Sequence, residues 1–148
     1  MLIVQILAIV SIGLLIGTEL AVSVFINPIL ARLDTRTRAQ AIQMFATRLG
    51  KAMPFWYAAN FVLLLTVTYL HRQHPGLALL IAASAIWAMV ILLTILFLVP
   101  INNRMMRIDP DSFTEAQQRE HHRWTTLHHL RVLSLCVAMI CLLVSISH

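Results

Sequence analysis

The sequence predicts an all-α protein, a bundle of four transmembrane helices. Three observations predict it. Hydrophobic residues make up 59% of the chain and charged residues 11%, against about 25% charged in an ordinary soluble domain. The apolar residues gather into four runs, each near the roughly 20 residues that one crossing of the hydrocarbon core requires. Most basic residues fall in the connections between those runs. The length of 148 residues is that of a single domain, residues 1–148.

The first span covers residues 2–27 and ends at Asn27-Pro28. It has no positive leading region, and its apolar stretch from Leu2 to Ile26 is too long for a signal-peptide core, so it is expected to be retained. The second span, residues 54–71, opens on Met53-Pro54, because proline near a helix start forfeits no hydrogen bond. His74-Pro75-Gly76 turns the chain into the third span, residues 77–100, which closes at Pro100. The fourth span is residues 126–147. Cys136 and Cys141 both lie in it, point in different directions and make no metal motif.

The connections set the orientation. Residues 28–53 carry Arg32, Arg36, Arg38, Arg48 and Lys51, and residues 101–125 carry Arg104, Arg107, Arg119 and Arg123. The 72–76 turn carries only Arg72. Positive connections stay cytoplasmic, so both termini are expected on the non-cytoplasmic side, and the compact chain suggests a bacterial inner membrane. The net charge of +5 fits anionic lipid headgroups. It does not fit nucleic acid, which needs a basic face with base-reading or stacking groups.

Neither long connection reads as slack. After Ala39, Ile42, Phe45, Leu49 and Met53 recur at helical spacing, which predicts a short amphipathic cytoplasmic helix lying on the membrane surface. In the second connection Asp109-Pro110 makes a turn, and Ser112 with Glu115 reads as a capping box. A helix from Phe113 to Ile146 would extend the fourth span to about 50 Å at 1.5 Å per residue, so its first turns should stand outside the bilayer. No internal repeat is apparent.

Polar residues inside spans are costly and tend to be functional. Glu19 is the acidic residue of the first span, and Ser23 and Asn27 follow on the same face. The opposite face carries Gly13, Gly17 and Ala21, a small-residue stripe for packing within the bundle or for the seam of a homodimer. On the fourth helix His121, Trp124, His128 and Arg131 share a face, while His122 and His129 point elsewhere. Counting helical rise, Glu19 lies about 12 Å from Asn27 and Arg131 about 10 Å from Trp124. The two charges therefore come out at similar depth and should pair. Asn60, Asn102 and Asn103 lie toward the same side. The simplest account is a polar cavity in the cytoplasmic half, with Glu19, His128 and Arg131 as catalytic groups. Asn27, Asn60, Asn102, Asn103 and Trp124 would bind substrate. The outer half shows few polar residues beyond scattered serines and threonines.

Glu19 with Asn27-Pro28, then Pro100-Ile101-Asn102-Asn103, then Trp124 followed by Leu127-His128 and Arg131 form an ordered set across nearly the whole chain. By that set the chain resembles the anthrone-oxygenase-like integral membrane family, whose bacterial members are largely grouped as a domain of unknown function. The resemblance implies a four-helix membrane bundle. For the family's fungal members it implies oxidation of polyketide anthrones to anthraquinones.

Three functions compete. The first is an oxidoreductase or oxygenase for a hydrophobic, aromatic or quinone-like small molecule entering from membrane lipid. Glu19 or His128 would take a phenolic or benzylic proton and Arg131 would stabilise the anion. That route favours no cofactor. A haem with one histidine ligand stays open, as does a non-haem metal, although His121 and His128 lie about 10 Å apart along the axis, so no metal ligands are assigned. The second is a proton-coupled small-molecule transporter working through Glu19. The third is a structural or assembly subunit, in which the polar set only holds helices together.

Overall fold

The computed structural model describes residues 2–147. Four long helices account for most of it: α1 (Leu2–Leu30), α2 (Thr35–Leu70), α3 (Leu77–Met105) and α4 (Glu115–Ser147). All four are long and apolar enough to cross a membrane. Each packs on its neighbours in sequence, and α4 closes the square against α1. Such an up-down-up-down ring follows from short connections between antiparallel neighbours.

The helix ends depart from expectation at Pro28, Pro54 and Pro100, while His74-Pro75-Gly76 does turn the chain into α3. Pro28 and Pro100 lie inside α1 and α3, each two residues after a single π-helical turn, Val22–Ile26 and Thr94–Leu98. Asn27 N–H donates to the Val22 carbonyl and Val99 N–H to the Thr94 carbonyl, the wider π spacing. A proline ring crowds the carbonyl four residues back, and a π turn is one way for a helix to absorb such a disturbance without ending. The two devices sit on similar sequence, Phe25-Ile26-Asn27-Pro28-Ile29 and Phe97-Leu98-Val99-Pro100-Ile101. The first and third helices thus carry the same short device.

Pro54 does not open a helix either. It lies within α2, which runs unbroken from Thr35. The amphipathic segment after Ala39 is therefore helical but is the first half of α2, not a separate element on the membrane surface. Its apolar side turns inward: Ala39, Ile42 and Ala46 pack with Leu30 of α1, Ile101 and Met105 of α3, and Ile108 and Phe113 of the following connection. The ends of α1 and α3 offer that segment an apolar partner. Gly50 permits the close approach. A Cβ there would collide with the Asn102 side-chain amide, which donates to the Ala46 carbonyl at 3.1 Å.

Asp34 caps α2, its Oδ1 accepting from Thr37 N–H at 3.1 Å. The cap of α4 is Thr114 with Gln117, whose side chains bond each other's backbone N–H. It is not Ser112 with Glu115, because the Ser112 hydroxyl is taken by Asp109 in the preceding 3-10 turn.

The core is divided along the bundle axis. One apolar cluster draws on all four helices, including Ile12, Leu15, Leu64, Trp87, Leu135 and Leu142. The other surrounds the start of α2. Between them in sequence on α1 and α4 lie Glu19, Ser23, His128 and Arg131, all buried. The remaining half is less apolar than expected. Gln5 donates to His71 Nε2 at 2.8 Å, and His71 Nδ1–H donates to the Val67 carbonyl at 2.9 Å. The Gly13 and Gly17 face is open: among the described residues no neighbouring side chain or helix comes within 4 Å of a Cβ at either residue. Those two glycines therefore make no close helix contact within the bundle.

Candidate functional site

Glu19 hangs from α1 just before its π turn and is 1% exposed. Its Oε2 accepts from Arg131 Nη2 at 2.5 Å and lies 3.1 Å from His128 Nδ1. Arg131 Nη2 is also 2.9 Å from His128 Nδ1. The other ring nitrogen, His128 Nε2, reaches the Glu19 backbone carbonyl at 3.1 Å. A carbonyl only accepts, so Nε2 carries a proton and neutral His128 leaves Nδ1 bare. Arg131 can then give one N–H to the carboxylate and one to Nδ1. The depth counted along the two helices thus did pair Glu19 with Arg131, and the shared face of α4 brought in His128.

An aromatic stack runs on from His128. The Trp124 ring lies 4.7 Å from it at an interplanar angle of 10°, and His121 lies 6.0 Å beyond Trp124 at 14°. The i, i+3, i+7 spacing that placed these residues on one face of α4 makes them a continuous column. On the far side the Arg131 guanidinium sits 5.4 Å from the centroid of the Tyr57 ring, within cation–π range. Glu19 Oε1, Arg131 Nε and the Tyr57 hydroxyl are buried without a hydrogen-bond partner. Buried polar atoms are normally paired. The Tyr57 hydroxyl and Glu19 are close enough to serve one another, and Arg131 Nε is left to bond water or a polar atom of a ligand.

Glu19, His128 and Arg131 do not open into a common cavity with the asparagines. Two separate cavities lie toward the long connections. The first is apolar, with a volume of about 50 Å³, between Val22, Ile26, Phe45, Leu49, His121 and Trp124, with Asn27 and Asn102 at its edge. The second, of about 220 Å³, is lined by Ser23, Asn27, Arg38, His121, His122, Thr125 and His129, among others. His122 and His129 do fall off the stacked column, as their spacing predicts. Trp124 both stacks on His128 and lines the apolar cavity, so a single ring separates that cavity from the ion pair.

The asparagines scatter. Asn60 is fully buried but bonds the Ser11 carbonyl, beside the Trp56-to-Ser11 hydrogen bond, and lines neither cavity. Asn102 holds α3 against α2. Asn103 is exposed and lines neither cavity. Residues i and i+1 on a helix point about 100° apart, so Asn102 and Asn103 could not both face inward.

The sequence model of a family described as anthrone oxygenase matches residues 41–141. The chain belongs to the anthrone oxygenase family. That membership points to an oxygenase-type role. No curated protein and no solved structure matches the chain.

The match to the anthrone oxygenase family takes in Trp124, His128 and Arg131, while Glu19 and Asn27 lie before its first residue. Tyr57 also lies within the match and was missed in the linear reading. A tyrosine near the start of a span looks like an interfacial anchor, and it is the packing against Trp87 of α3 and Arg131 of α4 that buries it. Among the described residues no three His, Cys, Asp or Glu side chains gather as a metal site would require. Both ring nitrogens of His128 are engaged by protein groups, so an iron ligand there would have to displace one of them.

Proposed function

We propose that this chain is a membrane oxygenase for a lipid-soluble aromatic or quinone-like molecule, with Glu19, His128 and Arg131 as its reacting groups. The observation that carries the reading is a carboxylate, an imidazole and a guanidinium in mutual contact, one aromatic ring away from an apolar cavity. Glu19 Oε2 and His128 Nδ1 are both acceptors, facing each other at 3.1 Å. Such a contact is relieved by a proton, which makes the pair a base for a ring CH₂ or phenolic proton. Arg131 touches both atoms and offsets the charge of the anion formed.

An electron-rich carbanion of this kind reacts with dioxygen directly. The CH₂ becomes a carbonyl, one oxygen atom enters the product and the other leaves as water. Asn27 and Asn102, at the edge of the apolar cavity, would orient the substrate's oxygens there. Asn60 and Asn103 have no place in this arrangement. The charge bias supports an orientation with both termini on the non-cytoplasmic side, the cavities opening toward the cytoplasm. A proton-coupled transporter is disfavoured, because Arg131 already occupies the Glu19 carboxylate that would take a cation.

The test is oxygen uptake and quinone formation from a simple anthrone by protein purified in neutral detergent, normalised to folded protein. Wild type should turn over. Glu19→Gln and His128→Ala should each lose on the order of 100-fold or more, the usual contribution of a general base. Full turnover in folded Glu19→Gln would overturn the assignment. No turnover by wild type on a panel of anthrones and hydroquinones would return the site to a structural role.

A further inference from the structure

The second cavity carries an unmet chemical demand. Three of the residues lining it, Ser23, Asn27 and Arg38, each have a buried side-chain atom with no hydrogen-bond partner: Ser23 Oγ, Asn27 Nδ2 and Arg38 Nε. Ser23 and His121 at its base are buried, while Asn27 and Arg38 are half-buried and His122 and His129 stand at its open rim. Two of the three orphan atoms can only donate, and the hydroxyl can donate as well. No carboxylate lines the cavity. Arg38 makes no ion pair among the described residues, while its near neighbour Arg36 is paired with Asp111 at 2.9 Å. The site therefore offers one uncompensated positive charge, donors from α1 and α2, and imidazoles from α4.

We propose that this cavity binds an oxyanion, a phosphate group held by Arg38, Asn27 and Ser23 with the α4 histidines around it. A metal cation fits poorly, since it would face a guanidinium and donor hydrogens. Water alone satisfies donors but not the charge. The volume of about 220 Å³ is many times the roughly 10–15 Å³ that one water needs on the same measure. Arginine is the side chain suited to phosphate, through its fork of N–H groups. The cavity lies at the end of the bundle that carries the long basic connections, the level where lipid headgroups sit. The phosphate could thus belong to a membrane lipid or be a free ion. This inference stands apart from the oxygenase reading and survives its failure.

The experiment is titration calorimetry on the full chain in neutral detergent with two probes, inorganic phosphate and dihexanoyl phosphatidylglycerol. Wild type should bind at least one probe saturably at one site. Response to the lipid alone assigns a headgroup site, and response to both assigns a free-anion site. Arg38→Gln should weaken binding at least tenfold. Arg48→Gln, at an exposed arginine on the same helix outside the cavity, should leave it unchanged. If Arg38→Gln does not fold, Asn27→Leu decides, since it keeps the charge and should still weaken binding several-fold. Absence of saturable binding by both probes, or equal weakening by the Arg38 and Arg48 variants, overturns the proposal.

Discussion

Replacing Arg131 by methionine should destabilise the bundle by about 3–5 kcal/mol, the range for removing one partner of a buried pair. The structure sets where in that range each variant falls. Arg131 is 7% exposed and Glu19 1%, so a lone survivor has little water to turn to. Arg131→Met deletes a charge-assisted hydrogen bond of 2.5 Å, itself worth roughly 1.5–3 kcal/mol, and strands a carboxylate. His128 Nδ1 stands 3.1 Å from that carboxylate and can hold a proton for it, so this variant should fall near the lower bound. In Glu19→Gln no other acid contacts Arg131, and the cost should approach the upper bound. The double variant, Glu19→Gln with Arg131→Met, removes both charges, and the amide that replaces the carboxylate can still reach His128. Its cost should fall below about 2 kcal/mol, since removing a whole pair is far milder than breaking one. The assay is unfolding in mixed micelles with rising sodium dodecyl sulfate, followed by loss of helical circular dichroism. Single variants within about 1 kcal/mol of wild type would refute the reasoning, as would a double variant that costs the sum of the two.

Other variants probe the fold at places the ion pair does not touch. Gly50→Ala sets a methyl group against the Asn102 amide and should cost about 1–3 kcal/mol as overpacking. Adding Asn102→Ala should return part of that, measured in the same unfolding series. Gly13→Leu meets open space and should leave the unfolding midpoint of the monomer unchanged, and loss of a cross-linked dimer in that variant would mark the stripe as a seam between copies. His71→Leu leaves the Gln5 amide without its partner and should cost about 1–3 kcal/mol for a part-buried donor. The hydrogen bonds from Thr37 hold the Asp34 carboxyl below its ordinary 3.8. Its stabilisation of the α2 start is therefore present above that value and lost as pH falls through the lowered one. Hydrogen exchange at Thr37 should speed in Asp34→Ala at neutral pH and in wild type only in strong acid.

The membrane class, the number of helices and the depth of Glu19 and Arg131 could all be read along the chain. Hydropathy and rise per residue are properties of one helix at a time, and the hydrocarbon core forces each span to satisfy its own backbone. The His121, Trp124, His128 and Arg131 column was legible for the same reason, since all four residues sit on α4. What needed the tertiary structure were the relations between helices. Whether Pro28, Pro54 and Pro100 end a helix or sit inside one depends on π turns and on packing that rewards continuation. Tyr57 meets the ion pair because its side chain turns inward from α2, 5.4 Å from the Arg131 guanidinium. Asn27 and Ser23 share a face with Glu19 on a helical wheel, yet they line a cavity that Glu19 does not reach, with Arg38 brought in from α2. A face read from one helix says which way a side chain points, and the neighbouring helices decide what it meets there.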